Sequence, residues 1–202
     1  MDGVWNFLIG MTGSRPIEIF AVALGLANVT LIIRRSIWNY PFGMVMVILY
    51  AKIFYDYRLY SDSLLQVYFF LIQGYGLWYW LQNRQADGLV IVERFGGRGV
   101  ILAVAASVIG AVLLGTIMNT FTDADFPYWD AAVAATSVVA QFLLSRRILQ
   151  SWLFWIAVDV MAIALFWVKD LQPTAALYGV FLVLATLGYV RWTKAWRAGV
   201  AV

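Results

Sequence analysis

Trp38-Asn39-Tyr40-Pro41-Phe42-Gly43 opens a stretch, closing at Trp80, that the chain writes a second time. Sliding the sequence along itself by 112 residues without a gap sets Arg34-Arg35 on Arg146-Arg147 and Phe42 on Phe154. The same shift sets Phe54 on Phe166, Leu59 on Leu171, Leu65 on Leu177, Phe69 on Phe181, Gly76 on Gly188 and Trp80 on Trp192. These are nine identities over the 47 positions 34–80, most of them aromatics, glycine and paired arginine. Two unrelated membrane hairpins of like composition would share some of them. The absence of any gap favours a duplication of the kind that builds transporters.

Composition says what surrounds the chain. Of 202 residues, 63% are hydrophobic and 12% charged, too few polar groups to cover a soluble domain, so the bilayer is the expected solvent. There is no cysteine and no histidine, which removes thiolate chemistry, disulfides, the commonest metal ligands and the commonest general base. No metal and no cofactor is expected. The net charge of +3 reads as membrane topology and not as a nucleic-acid surface. The N-terminus has no basic segment and small-residue cleavage site, so no cleaved signal peptide is read there.

Residues 1–14 are mildly apolar and too short to span; they are expected to lie in the interface. Seven longer apolar stretches follow at about 16–33, 38–54, 61–81, 99–118, 128–144, 148–168 and 174–192, each near the roughly 20 residues a spanning helix needs. This predicts an all-α integral membrane protein with seven transmembrane helices: a first three-helix repeat over 15–81, a loop over 82–98, a linker helix over 99–118, a second repeat over 128–197 and a tail over 198–202. Three is odd, so two triplets joined directly would lie inverted. One intervening span restores a common orientation and gives parallel repeats, a 3+1+3 arrangement. That linker (Ile101-Leu102-Ala103-Val104-Ala105-Ala106-Ser107) is poor in aromatics and suits a lipid-facing position.

Charge fixes the expected orientation. Arg34, Arg35, Arg84, Arg94, Arg98, Arg146, Arg147, Arg191, Lys194 and Arg197 fall on one side of seven spans, and Arg15, Lys52, Arg58 and Lys169 on the other. The richer side is read as cytoplasmic, with the C-terminus inside and the N-terminus outside a bacterial inner membrane.

Polar side chains within spans are the informative ones, because lipid offers them no partner. Asp62, Gln66 and Gln73 share a face of the third span, Asp130, Ser137 and Gln141 one of the fifth, and Ser151, Trp155 and Asp159 one of the sixth, beside Trp152. Asn28 and Asn39 come from the first two. Two readings stand open: a pocket between the repeats that stacks a flat ring and holds its polar substituents, or hydrogen-bonding glue between helices. The candidate substrate-binding residues are Trp38, Asn39, Tyr40, Gln66, Gln73, Gln141, Ser151, Trp152, Trp155 and Asp159. Asp159 sits near mid-span as a counter-charge to a cationic ligand or as a fixed acceptor for a neighbouring helix. Trp78, Tyr79, Trp80, Trp192 and Trp196 cluster at span ends and read as an interfacial aromatic belt.

Taken together, the motifs from Trp38 to Gly43, Phe54-Tyr55, Arg58 to Asp62, Leu65-Gln66, Tyr75-Gly76 and Trp80 resemble the first half of PnuC-type vitamin transporters. Ser137 to Leu144, Trp152 to Ile156 with Asp159, and Thr174 to Tyr178 resemble the second half, so the likeness covers about 15–197. It implies an architecture related to the sugar-carrying SWEET proteins. It also implies facilitated diffusion of nicotinamide riboside, or of thiamine or riboflavin, with metabolic trapping after entry. The implied partner is thus a small cationic or aromatic vitamin, and a homo-oligomer is compatible with this reading. Family members often carry Asn before the Trp of the sixth span; Ser151 stands there instead and leaves the choice of vitamin open.

Other classes have less in the sequence to carry them. No nucleotide-binding loop is present, so ATP does not drive the chain directly. An enzyme would need paired acid and base groups, and Glu18, Asp62 and Asp159 stand on separate spans. A SWEET-like sugar carrier and a structural or signalling membrane protein remain as alternatives.

Overall fold

The structure, a computed structural model, describes residues 16–56, 60–83 and 90–200. The interfacial segment expected over 1–14 lies outside them. Seven helices are described: α1 (Pro16–Ile33), α2 (Asn39–Asp56), α3 (Tyr60–Gln82), α4 (Gly97–Phe121), α5 (Pro127–Ser145), α6 (Ser151–Val168) and α7 (Gln172–Val200). Three of them, α4, α6 and α7, are long and apolar enough by length and composition to cross a membrane. α1 contributes a shorter apolar run, Phe20–Ile33, and α2, α3 and α5 dilute theirs with amides, hydroxyls and tyrosines. α7 runs on to Val200, beyond the expected end near 192. Arg191, Lys194 and Arg197 end the apolar run but not the helix, since all are good helix formers.

The chain forms two compact units, Met1–Ile91 and Val92–Val202. In the first, α1 packs on α2 and α2 on α3; in the second, α4 packs on α5, α5 on α6 and α6 on α7. Helix α4 presents Ile101, Leu102, Val108, Ile109, Leu113 and Ile117 outward, an apolar face of a kind that monomers in water rarely leave bare. Its other face comes close to α5. A Cβ at Gly110 would stand 3.1 Å from that of Ala135, and one at Gly115 would strike the Tyr128 ring.

The turns after α1 and α5 make the same bonds. Arg35 N donates to Ile32 O at 2.8 Å and Ser36 N to Leu31 O at 3.0 Å. At the 112-residue offset, Arg147 N donates to Leu144 O at 2.9 Å and Ile148 N to Leu143 O at 3.0 Å. Both are Schellman closures, and their left-handed residues are arginines, Arg35 at φ 58° and Arg147 at φ 61°. A non-glycine residue there costs roughly 1–2 kcal/mol. Each guanidinium offsets part of that cost. In the first unit Arg35 Nη1 donates to Val90 O at 3.1 Å. In the second, Arg147, buried, pairs with the Glu93 carboxylate. Glu93 N donates to Arg147 O at 2.9 Å and Leu149 N to Glu93 O at 2.7 Å, a short parallel bridge.

The interior of the second unit gathers Ala103, Ala140, Leu143, Ile148 and Phe154, with Phe95, Val139 and Trp155 packed against them. At the opposite end Lys169 Nζ meets Asp130 Oδ2 at 2.8 Å. Both groups are about a quarter exposed, so the pair contributes at most about 1 kcal/mol.

Candidate functional site

Each unit holds one buried ring pair. Tyr40 meets Trp80 edge to face, with centroids 5.3 Å apart and planes at 90°. Trp152 meets Trp192 with centroids 5.5 Å apart and planes at 85°. Trp80 and Trp192 are each 1% exposed, which corrects the belt expected of them: each is packed inside its own unit against a partner ring. Trp78 is 57% exposed. Trp152 lies so close to α7 that a Cβ at Gly188 would sit 2.6 Å from three of its ring atoms.

In the first unit, Asn28 Nδ2 donates to Asn39 O at 2.7 Å, and Asn39 Nδ2 donates to Ser36 O at 2.6 Å. These two amides fasten α1 to the start of α2. Gly43 makes room for them: a Cβ there would run into Gln73 Oε1 and lie 2.6 Å from Asn28 Nδ2. Asn28, Asn39 and Gln73 are all buried, and Gln73 has no hydrogen bond among the described residues. At the 112-residue offset Asn28, Gly43 and Gln73 correspond to Ala140, Trp155 and Ala185. One indole, packed against the cluster that includes Ala140, stands where the first unit has glycine between two carboxamides.

The second unit keeps its polar groups on α6. Ser151 is 0% exposed and Trp152 2%, and neither Ser151 Oγ nor Trp152 Nε1 has a hydrogen-bond partner among the described residues. Asp159, two turns further along, is 3% exposed and likewise without a hydrogen bond or ion pair among them. Leaving one buried polar atom unpaired costs about 1–3 kcal/mol, and more for a charge. Ser151 Oγ, Trp152 Nε1 and the Asp159 carboxylate thus place three polar groups without hydrogen-bond partners among the described residues on one helix, α6.

The remaining expected residues are placed differently. Trp38 is 65% exposed, before α2 begins. Gln66 on α3 and Gln141 on α5 are partly buried. Of the wider polar set, Ser137 donates to Val133 O at 2.8 Å on its own helix, and Asp130 is engaged with Lys169. The Asp62 side chain lies outside the described residues. No group of three or more His, Cys, Asp or Glu able to hold a metal occurs among the described residues. Sequence reasoning missed Gly43 as the seat of the amide cluster. It also missed the pins on Val90 and Glu93, for which only the offset of Arg35 from Arg147 carried a signal.

Comparison with known proteins supplies the family. The profile of the family described as "Nicotinamide mononucleotide transporter" matches residues 15–194. The nicotinamide riboside transporter PnuC of Escherichia coli (strain K12) is 25% identical over 206 residues, 90% of this chain and 86% of that protein. The protein of the same name from Neisseria mucosa is 28% identical, covering 86% of this chain and 70% of its own. The riboflavin/roseoflavin transporter RibM of Streptomyces davaonensis is 25% identical over 84% of this chain and 80% of its own. Among solved structures, the crystal structure of the vitamin B3 transporter PnuC superposes with a TM-score of 0.78 at 25% identity, covering 97% of this chain and 88% of that one.

Proposed function

Because this chain belongs to the nicotinamide mononucleotide transporter family, the PnuC type, we propose that it is a membrane facilitator for nicotinamide riboside or a closely related B-vitamin compound. It is a transporter and not an enzyme. The observation that carries the reading is α6, where Ser151 Oγ, Trp152 Nε1 and the Asp159 carboxylate are buried without partners among the described residues. A solute with hydroxyls and a cationic ring offers what they lack: acceptors for the two donors and a positive charge for the carboxylate.

The architecture that goes with this function is two parallel triplets, 15–81 and 128–197, about a linker helix at 99–118, in the manner of the SWEET proteins. What supports it is the shared turn and ring-pair geometry at the 112-residue offset. All seven helices then cross a bacterial inner membrane, with the loop over 82–98 and the C-terminus on the cytoplasmic side. Transport follows by alternating access, the polar face of α6 opening to one side of the membrane and then to the other.

A riboflavin carrier is the second reading, favoured by the likeness to RibM at the same 25% identity as the Escherichia coli PnuC. Charge separates the two. An inside-negative potential of 100 mV favours uptake of a cation by about 2.3 kcal/mol, or about 50-fold, and leaves a neutral flavin unaffected. In proteoliposomes, saturable uptake of unmodified nicotinamide riboside that rises with imposed potential is expected. Potential-independent riboflavin uptake selects the second reading. Absence of uptake across the B vitamins refutes both, and a chemically altered product refutes the transporter.

A further inference from the structure

Beyond the transport site, at the basic end of the second unit, Arg94, Leu149, Gln150, Leu153, Tyr189, Thr193, Trp196 and Arg197 enclose a cavity of about 180 Å³. That is below the roughly 300–1,000 Å³ of pockets that take drug-sized ligands, so a whole vitamin is too large for it. We propose that this cavity binds a single phosphate group, that of an anionic glycerophospholipid headgroup, and that it does so independently of the cargo.

Charge is the first reason. Glu93, the nearest acid in sequence, is engaged by Arg147. Neither Arg94 nor Arg197 has an ion pair among the described residues, so two guanidiniums border one small cavity without a counter-charge. A guanidinium fork matches phosphate oxygens in pairs, and an anion between two of them removes their repulsion.

Preorganisation is the second. Gln150 spends both ends of its carboxamide on Phe95: Nε2 donates to Phe95 O at 2.9 Å, and Phe95 N donates to Oε1 at 3.0 Å. With the Glu93 bridge, this fixes the backbone on both sides of Arg94. The Arg94 guanidinium lies 5.0 Å from the Trp196 ring centroid, a stacking contact that leaves its N–H edge available. The Tyr189 hydroxyl, unbonded among the described residues, adds a donor.

The surroundings favour a lipid as the source. Leu149 and Leu153 line the cavity, and Leu153, Leu187 and Val190 are exposed on the same two helices, an apolar track suited to acyl chains. Trp196 and Tyr189 are of the amphipathic type that gathers at headgroup level.

The test is a thermal-shift titration of the full chain, purified in neutral detergent, with phosphatidylglycerol, phosphatidylcholine and inorganic phosphate at constant ionic strength. Saturable stabilisation by phosphatidylglycerol above that by phosphatidylcholine is expected. Arg94→Gln and Arg197→Gln should each move the midpoint to about tenfold higher lipid, the loss of one charge-assisted contact. Arg94→Lys, which keeps charge and loses the fork, should fall between and serves if Arg94→Gln does not fold. Arg191→Gln with Lys194→Gln removes two charges from α7 outside the cavity and should leave the midpoint within about threefold, as a screened surface effect. Saturation by inorganic phosphate with no further gain from phosphatidylglycerol keeps the site and assigns it to a free phosphate. An equal loss in the α7 control pair, or no saturable effect of either anion on the unaltered protein, overturns the proposal.

Discussion

Two glycines on α7 should respond to the same substitution with opposite sign. At Gly188 an added Cβ stands 2.6 Å from three atoms of the six-membered ring of Trp152, whereas at Gly179 it meets nothing within 4 Å. To restore ordinary contact the indole must retreat by about 0.9 Å. It is 2% exposed and braced edge-on by Trp192, so that retreat has to be shared with the packing around it. Such overpacking costs about 1–3 kcal/mol. Replacing helical glycine by alanine returns about 0.5–1 kcal/mol. Gly188→Ala should therefore lose up to about 2.5 kcal/mol net and lower the apparent Tm in detergent by up to about 10 °C. Gly179→Ala should keep the helix gain alone and raise it by about 1–4 °C. The mechanism has its own control. Trp152→Phe deletes the ring atoms that collide, so in that background Gly188→Ala should cost at least about 1 kcal/mol less, roughly the overpacking term. If Gly188→Ala matches Gly179→Ala, or if its cost is unchanged in the Trp152→Phe background, the close approach of α6 and α7 is misread.

Other perturbations follow from the same geometry. Glu93→Gln leaves the buried Arg147 guanidinium without its carboxylate and should cost about 1–3 kcal/mol, read as a lower melting temperature. Double-mutant cycles to leucine across Tyr40–Trp80 and across Trp152–Trp192 should give similar coupling energies of about 0.5–1.5 kcal/mol, because the two contacts share distance and angle. Unequal couplings would mean the two triplets are held differently. Asp159→Val installs the residue found at the 112-residue offset, Val47, and removes a buried carboxylate that has no hydrogen bond or ion pair among the described residues. The protein should melt higher while uptake of a cationic vitamin falls by about tenfold or more, on the order of one lost charged contact; full uptake would assign Asp159 to structure alone.

Most of the fold was legible because hydropathy and the offset report the same thing at two scales. Apolar runs located seven helices, and the matched pairs Arg34-Arg35 and Arg146-Arg147 fall at turns that share their bonds. The interior was less legible. Trp80 and Trp192 sit near helix ends among other aromatics, and composition cannot tell a belt tryptophan from one packed against a ring on the next helix. Gly43 gave no sign of its neighbours, since the reason for a glycine lies in what approaches it. Ser151, Trp152 and Asp159 were nameable from their polarity within an apolar helix. That they stand without partners among the described residues is a property of everything around them, and no local pattern encodes an absence.

Asp159 and Val47 carry a last consequence. A chain spliced from two copies of the first triplet would hold no acidic group at this depth and would have nothing electrostatic with which to greet a cation. One spliced from two copies of the second would carry a pair of them, like charges in a medium that screens poorly. On the proposed reading, the difference between the halves leaves α6 one carboxylate to face a monovalent solute where α2 has a valine.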